Sequence, residues 1–185
     1  MTPFELSASL ESMTLLVDTR EKPTQKMKER IEQTGLPFER RKLDSGDYSC
    51  SCILPDGNEL DFSKKVAIER KMSLGELCQC MGRERKRFER EFERARENGC
   101  RIYLLVENAT WEKAYNGKYR SLMKPQALIA SIDAFRARYG MQLDFCREET
   151  TGRLIRDILY RELKEYLEKG WEDDKGRNQT ELLHA

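Results

Sequence analysis

Short apolar segments that end in charged residues constrain the fold of this chain more than any other feature of its sequence. Residues 13–18 and 101–107 are runs of this kind and predict two buried strands. Further strands are predicted at residues 38–43, 48–54, 64–71 and 142–146. Helical periodicity predicts helices at residues 24–35, 73–98, 125–140 and 151–169. This order predicts an α/β fold, in which a mixed central sheet is flanked by helices on both faces.

The length of the chain fits one domain. Its 185 residues predict a single domain over residues 1–170, with a core at about 13–169 and a polar C-terminal tail at 171–185. No run approaches the ~20 apolar residues that span a bilayer, so no membrane partner is expected. Residues 1–12 lack an export signal, so we expect a cytoplasmic protein. In a bacterial or phage-infected cell the protein would be associated with the nucleoid, and in a eukaryote it would be nuclear.

The histidine content excludes several enzyme classes. The single histidine, His184, is the penultimate residue of a polar tail. Ser-His-Asp and Cys-His catalysis and histidine-based metal sites need an imidazole held in a packed site. If the chain is an enzyme, carboxylates, lysine or arginine must carry its chemistry.

The cysteines allow two interpretations. Six are present, at positions Cys50, Cys52, Cys78, Cys80, Cys100 and Cys146. The two C-x-C pairs could indicate zinc, but side chains two residues apart share a face on a strand and diverge on a helix. We therefore favour reduced thiols that fill the core.

Three polar clusters lie at the ends of predicted strands, at residues 18–21, 46–48 and 66–71. In the third cluster, strand alternation places Glu69 and Lys71 on one face. Carboxylates beside an ammonium group suit a divalent cation with oxygen ligands, and a lysine there can stabilise charge in a phosphoryl transition state. The alternative, that these carboxylates are only caps or surface ion pairs, remains open.

These clusters resemble a known family. The motifs L-V-D-T-R-E at residues 16–21, G-D-Y at 46–48 and I-E-R-K at 68–71 resemble the XPF-type structure-specific endonuclease domain, which has a restriction-endonuclease-like fold. The resemblance runs from about Leu15 to about Leu167. Residues 83–91 and 119–121 resemble short stand-alone bacterial and phage members.

The resemblance implies a catalytic site and a cofactor. It implies a catalytic set that comprises Asp18, Glu21, Asp47, Glu69 and Lys71. Within it, Mg²⁺ or Mn²⁺ would be bound by Asp18, Asp47, Glu69 and the backbone carbonyl of Arg70. Lys71 would orient or activate the attacking water. Arg20 and Arg70 would contact phosphate or hold the carboxylates in place. The implied reaction is metal-dependent hydrolysis of DNA phosphodiester bonds.

The chain also departs from the family pattern. Gly75 stands where the family has an aspartate, and the neighbouring Glu76 is a candidate substitute. The sequence contains neither a helix-hairpin-helix signature nor a helicase motor, so a preference for flaps or forks does not transfer directly. The family permits a homodimer through the last two helices, and the apolar stripe at residues 154–167 would allow it. Packing of that stripe inside the chain is the alternative.

Basic residues mark two candidate DNA-binding segments, although 34 basic and 33 acidic residues nearly cancel. One contains Arg83 and Arg85 at the start of a charged helix. The other is the loop with Lys118 and Arg120, where nearby aromatic residues could stack on bases. In both cases the alternative is an ordinary solvated surface.

Together these features favour a metal-dependent DNA endonuclease, acting in repair, recombination or phage DNA processing, with branched DNA, flaps or forks as candidate substrates. Two alternatives remain at this point. One is a non-catalytic DNA-binding partner subunit on the same fold, and the other is a nuclease of the same superfamily that acts on unbranched DNA.

Overall fold

The computed structural model describes residues 1–169 of the chain. Its strands are β1 (Thr14–Asp18), β2 (Phe38–Arg41), β3 (Tyr48–Ile53), β4 (Glu59–Asp61), β5 (Val66–Lys71), β6 (Arg101–Glu107) and β7 (Gln142–Cys146). Its α-helices are α1 (Pro3–Glu11), α2 (Gln25–Thr34), α3 (Leu74–Met81), α4 (Arg85–Glu97), α5 (Trp111–Tyr115), α6 (Pro125–Tyr139) and α7 (Thr151–Lys169). The predicted tail at residues 171–185, with His184, lies outside the described residues, and the boundary at residue 170 stays a prediction.

The strands form one mixed sheet in the order β2-β1-β3-β5-β6-β7, and β4 pairs with β3 at the side. Strand β1 is parallel to β2 and antiparallel to β3, whereas β5 is antiparallel to β3 and parallel to β6. Strand β7 continues the parallel half of the sheet. The predicted α/β fold with a mixed central sheet is confirmed.

Helices cover both faces of the sheet, and each face has its own apolar core. Helices α3, α4 and α6 pack on one face, where the rings of Phe88, Phe92 and Phe135 contact one another with centroids 4.9–5.4 Å apart. Helices α2 and α7 pack on the other face. We call these the α4 face and the α7 face. The division matters because alternate residues of one strand face different cores.

The apolar stripe of α7 belongs to the core of the chain itself. Ile155, Leu159, Leu163 and Leu167 are all buried on the α7 face. Internal packing, the alternative weighed for residues 154–167, therefore occupies most of this stripe. A homodimer through the last two helices stays a prediction that would have to use other side chains.

The cysteines fill core space on both faces. Cys50 and Cys52 are buried on the α7 face, and Cys78, Cys80 and Cys100 are buried on the α4 face. The two C-x-C pairs are therefore separated by the sheet and cannot share one zinc ion. Burial raises the pKa of the Cys80 thiol to about 11, so this side chain remains a neutral thiol at physiological pH.

The structure differs from the sequence prediction in three local features. The single helix predicted at residues 73–98 is two helices, because the backbone of Gly82 (φ −106°, ψ −100°) leaves the helical conformation. Helix α1 was not predicted, although a capping box between Thr2 and Glu5 starts it. Neither strand β4 nor helix α5 was predicted, and α5 lies just before the loop that contains Lys118 and Arg120. Among residues 1–169, no helix is both long and apolar enough to cross a bilayer.

Candidate active site

Strand β5 places Glu69 and Lys71 together on the α4 face. Its alternation is visible in the core, because Ala67 packs on that face whereas Val66 and Ile68 pack on the other. Glu69 is only 6% exposed and Lys71 only 8%, and the two side chains form an ion pair. The Lys71 ammonium also lies 5.3 Å from the ring centroid of Phe88 on α4. The predicted juxtaposition of Glu69 and Lys71 is thus present in the fold.

The turn before β3 brings Asp47 to the same place. The backbone N–H of Asp47 donates to the Ile68 carbonyl, and its carboxylate accepts from the backbone N–H of Arg70, both at 2.8 Å. The preceding Gly46 has φ +72°, and a Cβ there would lie 2.8 Å from the Ile68 oxygen. Only glycine fits this close approach, so the G-D pair fixes the Asp47 carboxylate against β5.

Burial makes the charges of this cluster unfavourable. The pKa of Asp47 is raised to about 6, chiefly by burial and further by Glu21, although Lys71 and the Arg70 N–H oppose the rise. Burial and the charge of Asp47 raise the pKa of Glu69 well above its ordinary value. Burial lowers the pKa of Lys71, but Glu69 and Asp47 outweigh it and keep the ammonium protonated. Two carboxylates therefore share one buried cation, which leaves the site deficient in positive charge.

Asp18 ends β1 beside this cluster, but its side chain is already engaged. Its backbone N–H donates to the Asp47 carbonyl at 2.9 Å. Its carboxylate accepts from the Arg20 guanidinium at 2.8 and 2.9 Å and from the Leu43 N–H at 2.8 Å. Burial raises the pKa of Asp18, but these hydrogen bonds outweigh it and hold that pKa below its ordinary value. The metal-binding role of Asp18 stays a prediction, and it would require Arg20 to release the carboxylate.

Glu21 and the Arg70 side chain lie on the α7 face, away from the Glu69–Lys71 pair. They belong to a buried ionic network, which consists of Glu21, Arg30, Tyr48, Arg70 and Glu107. In this network the Tyr48 hydroxyl donates to Glu21 at 3.0 Å and accepts from Arg30 at 2.8 Å. The Glu107 carboxylate accepts from Arg70 at 3.1 Å and from Arg30 at 3.3 Å. The Arg70 guanidinium thus contacts Glu21 and Glu107, and its predicted roles at phosphate, at the carboxylates of the metal site and through its carbonyl stay predictions.

Sequence reasoning did not identify several residues around the site. Arg30, Tyr48 and Glu107 complete the ionic network, and Glu91 on α4 accepts a hydrogen bond from the Gly46 N–H at 3.3 Å. Glu107 could have been found, because it is a charged residue at the end of an apolar strand, as Asp18 is. Nothing in the sequence separates Glu91 from the other charged residues of its helix.

The residues predicted to contact DNA are not all equally free. Arg20 is 59% exposed in its side chain although it holds Asp18. Arg83, Lys118 and Arg120 are exposed. Arg85 is half-buried, and its guanidinium donates to Glu89 at 2.8 Å and to Ser131 at 3.1 Å. Arg85 therefore has a structural role within the α4 face.

The loop that carries Arg120 packs against the start of α3, just beyond Lys71. A Cβ at Gly75 would lie 2.9 Å from the backbone oxygen of Arg120, so the loop occupies the space that a larger side chain would need. The neighbouring Glu76 accepts from the Met72 N–H at 2.7 Å and helps to cap α3. Gly75 thus seats the loop next to the site, and Glu76 is engaged with the backbone.

Comparison with protein families decides where this fold belongs. The family model described as the ERCC4 domain matches residues 17–158, which include β5 and every residue of the Asp47–Glu69–Lys71 cluster. The chain belongs to the ERCC4 domain family. Membership in this family supports a nuclease-type DNA-processing function and confirms the resemblance to XPF-type nuclease domains.

Solved structures show the same fold. The chain resembles XPF from Aeropyrum pernix, with a TM-score of 0.57 and 20% sequence identity over 79% of this chain and 59% of that one. It also resembles XPF from Aeropyrum pernix in complex with DNA, with a TM-score of 0.55 and 22% identity over 80% of this chain and 63% of that one. The chain thus matches about three fifths of the length of these relatives. No curated protein matches the chain.

Proposed function

We propose that this ERCC4 domain is a metal-dependent DNA endonuclease that hydrolyses phosphodiester bonds. One arrangement carries the proposal: the half-buried Asp47, the buried Glu69 and the buried Lys71 meet at one end of the sheet. Burying ionised groups is costly, and core side chains of similar volume would stabilise the domain more. Such a cluster is therefore best explained by chemistry carried out at this place.

The donor set fits Mg²⁺ or Mn²⁺. Within residues 1–169, no three His, Cys, Asp or Glu side chains converge as a ready-made metal cage. Mg²⁺ is commonly bound by one or two carboxylates, with water and substrate phosphate oxygens completing its six ligands. Asp47 and Glu69 would hold the cation, and the Arg70 carbonyl and Asp18 are further proposed ligands. The raised pKa values of Asp47 and Glu69 indicate that the site has too little positive charge to balance its carboxylates, and a bound cation would supply it.

Each residue then has a role in the reaction. When bound, the cation would polarise a phosphate oxygen and stabilise charge that develops on it. Lys71 would orient the attacking water and donate a hydrogen bond to the reacting phosphate, because its ammonium group is protonated and held in place by Glu69. Asp47 would keep the end of β5 fixed through the Arg70 N–H.

DNA is the proposed substrate and partner. One of the similar solved structures is XPF in complex with DNA, and in this chain exposed basic side chains at Arg20, Arg83, Lys118 and Arg120 lie on segments that adjoin the site. Phosphate contacts of this kind position DNA without reading its sequence. Branched structures such as flaps and forks are candidate substrates, and repair, recombination or phage DNA processing is the proposed setting.

A cleavage assay tests the proposal. Labelled duplex, single-stranded, flap and fork DNA would be incubated with wild type, Glu69→Gln and Lys71→Met in Mg²⁺, Mn²⁺ or EDTA. Glu93→Gln is the matched control, because it makes the same change at an exposed carboxylate of α4. We expect cleavage with either metal, none with EDTA, and a loss of at least about 100-fold in both site variants.

The substrate series separates the remaining interpretations. Higher rates on flaps or forks would support structure-specific cleavage, and equal rates on plain duplex would point to a nuclease for unbranched DNA. If folded wild type binds DNA but cuts none of the substrates with either metal, the endonuclease proposal is wrong and a partner subunit is the better account.

A further inference from the structure

Helix α4 turns one carboxylate towards the proposed cation site. Phe88, Phe92 and Ala95 are buried on the α4 face and fix the rotation of the helix about its axis. Glu91 lies three residues after Phe88 and one before Phe92, on the flank of this buried stripe, and it is half-buried. The packing of the phenylalanines therefore determines where the Glu91 carboxylate points.

Other glutamates of this helical segment are used differently. Glu89 pairs with Arg85 at 2.8 Å, and Glu84 pairs with Arg87. Glu91 forms no ion pair with any of residues 1–169, and its carboxylate instead accepts from the Gly46 N–H at 3.3 Å. This contact lies directly before Asp47, so Glu91 holds the turn that presents the Asp47 carboxylate.

The charge of Glu91 also reaches the site. It contributes to the raised pKa of Glu69, behind burial and the closer Asp47. The pKa of the exposed Arg20 is raised chiefly by its hydrogen bond to Asp18, and the charges of Glu91 and Asp47 add to this rise. The charge of Glu91 therefore acts on both Arg20 and Glu69, although within residues 1–169 its oxygens do not join those of Asp47 and Glu69 in a three-carboxylate cage.

We propose that Glu91 is a positioning residue of the cation site, which holds the Gly46–Asp47 turn and adds a third negative charge around the bound metal. This inference rests on the proposed metal dependence. A negative charge outside the direct ligands increases the affinity for a divalent cation, because like charges nearby are neutralised on binding.

Cation affinity, measured without DNA, tests this role. Mn²⁺ binding to the full chain would be followed by titration calorimetry and by the loss of the free Mn²⁺ electron paramagnetic resonance signal. The variants are Glu91→Gln, which keeps an oxygen that can accept from Gly46, and Glu91→Ala, which removes both oxygen and charge. Glu93→Gln is the control, because it removes an exposed charge two residues away on the same helix.

We expect Glu91→Gln to weaken Mn²⁺ binding roughly tenfold, Glu91→Ala to weaken it further, and Glu93→Gln to change it less than about twofold. If Glu91→Gln binds Mn²⁺ as wild type does and only Glu91→Ala is impaired, Glu91 has a structural role alone and the inference is overturned. Metal-dependent cleavage by wild type would leave the proposed function standing in that case. If wild type neither binds Mn²⁺ nor cuts DNA, both proposals fail.

Discussion

The carboxylate of Asp47 accepts a hydrogen bond from the backbone N–H of Arg70 at 2.8 Å. A side chain from the turn before β3 thereby fixes the segment of β5 that lies between Glu69 and Lys71. Asp47 would serve the site twice, as a proposed metal ligand and as a clamp on the strand that carries the other two groups. The effect of a substitution at Asp47 must therefore be measured on stability as well as on activity.

Removing the charge of Asp47 should stabilise the protein in the absence of divalent cations. Its folded-state pKa of about 6 lies above the ordinary value of 3.8, so the folded state binds more protons than the unfolded state between these pH values. Stability is therefore lost as pH rises through this window. In EDTA we expect Asp47→Asn to exceed wild type in free energy of unfolding by on the order of 2 kcal/mol at pH 7.5, with little difference at pH 3.5. Urea unfolding at the two pH values measures this, and equal stability at pH 7.5 would contradict it.

Loss of the Tyr48 hydroxyl should destabilise the ionic network without altering the chemistry on the other face. Tyr48→Phe removes a hydroxyl that bonds to both Arg30 and Glu21, and leaves these two residues with their direct ion pair at 3.4 Å. We expect Tyr48→Phe to lower the free energy of unfolding, measured with urea, by about 1–3 kcal/mol. The control is Tyr115→Phe, which removes the hydroxyl of an exposed tyrosine and should have no measurable effect. Metal-dependent cleavage by the folded Tyr48→Phe protein should stay within about threefold of wild type. A loss comparable to that of Lys71→Met would contradict the separation of the two faces.

Restoring the family aspartate at Gly75 should displace the loop that carries Arg120. The new Cβ would lie 2.9 Å from the Arg120 backbone oxygen, which cannot move without shifting the loop. We expect faster tryptic cleavage after Lys118 and Arg120 in Gly75→Asp. Gly75→Ala separates the two causes, since it adds the Cβ without the carboxylate. Equal acceleration in both variants would support the steric cause, and wild-type cleavage rates in Gly75→Ala would rule it out.

Arg120 should contribute to DNA affinity through phosphate. Each phosphate contact that is lost lowers the slope of log affinity against log salt concentration by about 0.9 for duplex DNA. We expect Arg120→Ala to weaken binding in fluorescence anisotropy and to reduce this slope by about one, with cleavage per bound complex unchanged. Lys28→Ala, an exposed substitution on α2, serves as the control. An unchanged slope would show that Arg120 does not contact DNA phosphate.

The sequence predicted the parts of the site that depend on strand geometry. The two-residue alternation of β5 placed Glu69 and Lys71 together on one face. The separation of Arg70 from this pair also followed from alternation. What the sequence could not supply was the distance between residues far apart in the chain. The contacts of Glu21 with Arg30 and of Glu91 with Gly46 depend on how helices dock on the sheet, and docking is set by tertiary packing rather than by local periodicity.

The break at Gly82 illustrates the same limit. Apolar residues recur at helical spacing on both sides of it, so the pattern predicts one helix, yet α4 begins afresh at Arg85. A glycine inside a helical pattern is tolerated often enough that it does not by itself mark an end. The second helix then has its own rotation, which is what directs Glu91 towards Gly46 rather than into solvent.

Arg70 joins the ionic network on one side of β5, and Glu69 and Lys71 lie on the other side. This strand therefore connects the two cores of the protein. A substitution in this network that shifted the β5 backbone would move Glu69 and Lys71 as well, whereas one that removes only a side-chain contact would leave them in place. Variation on the α7 face is thus a route by which the proposed activity could be adjusted while Asp47, Glu69 and Lys71 stay the same.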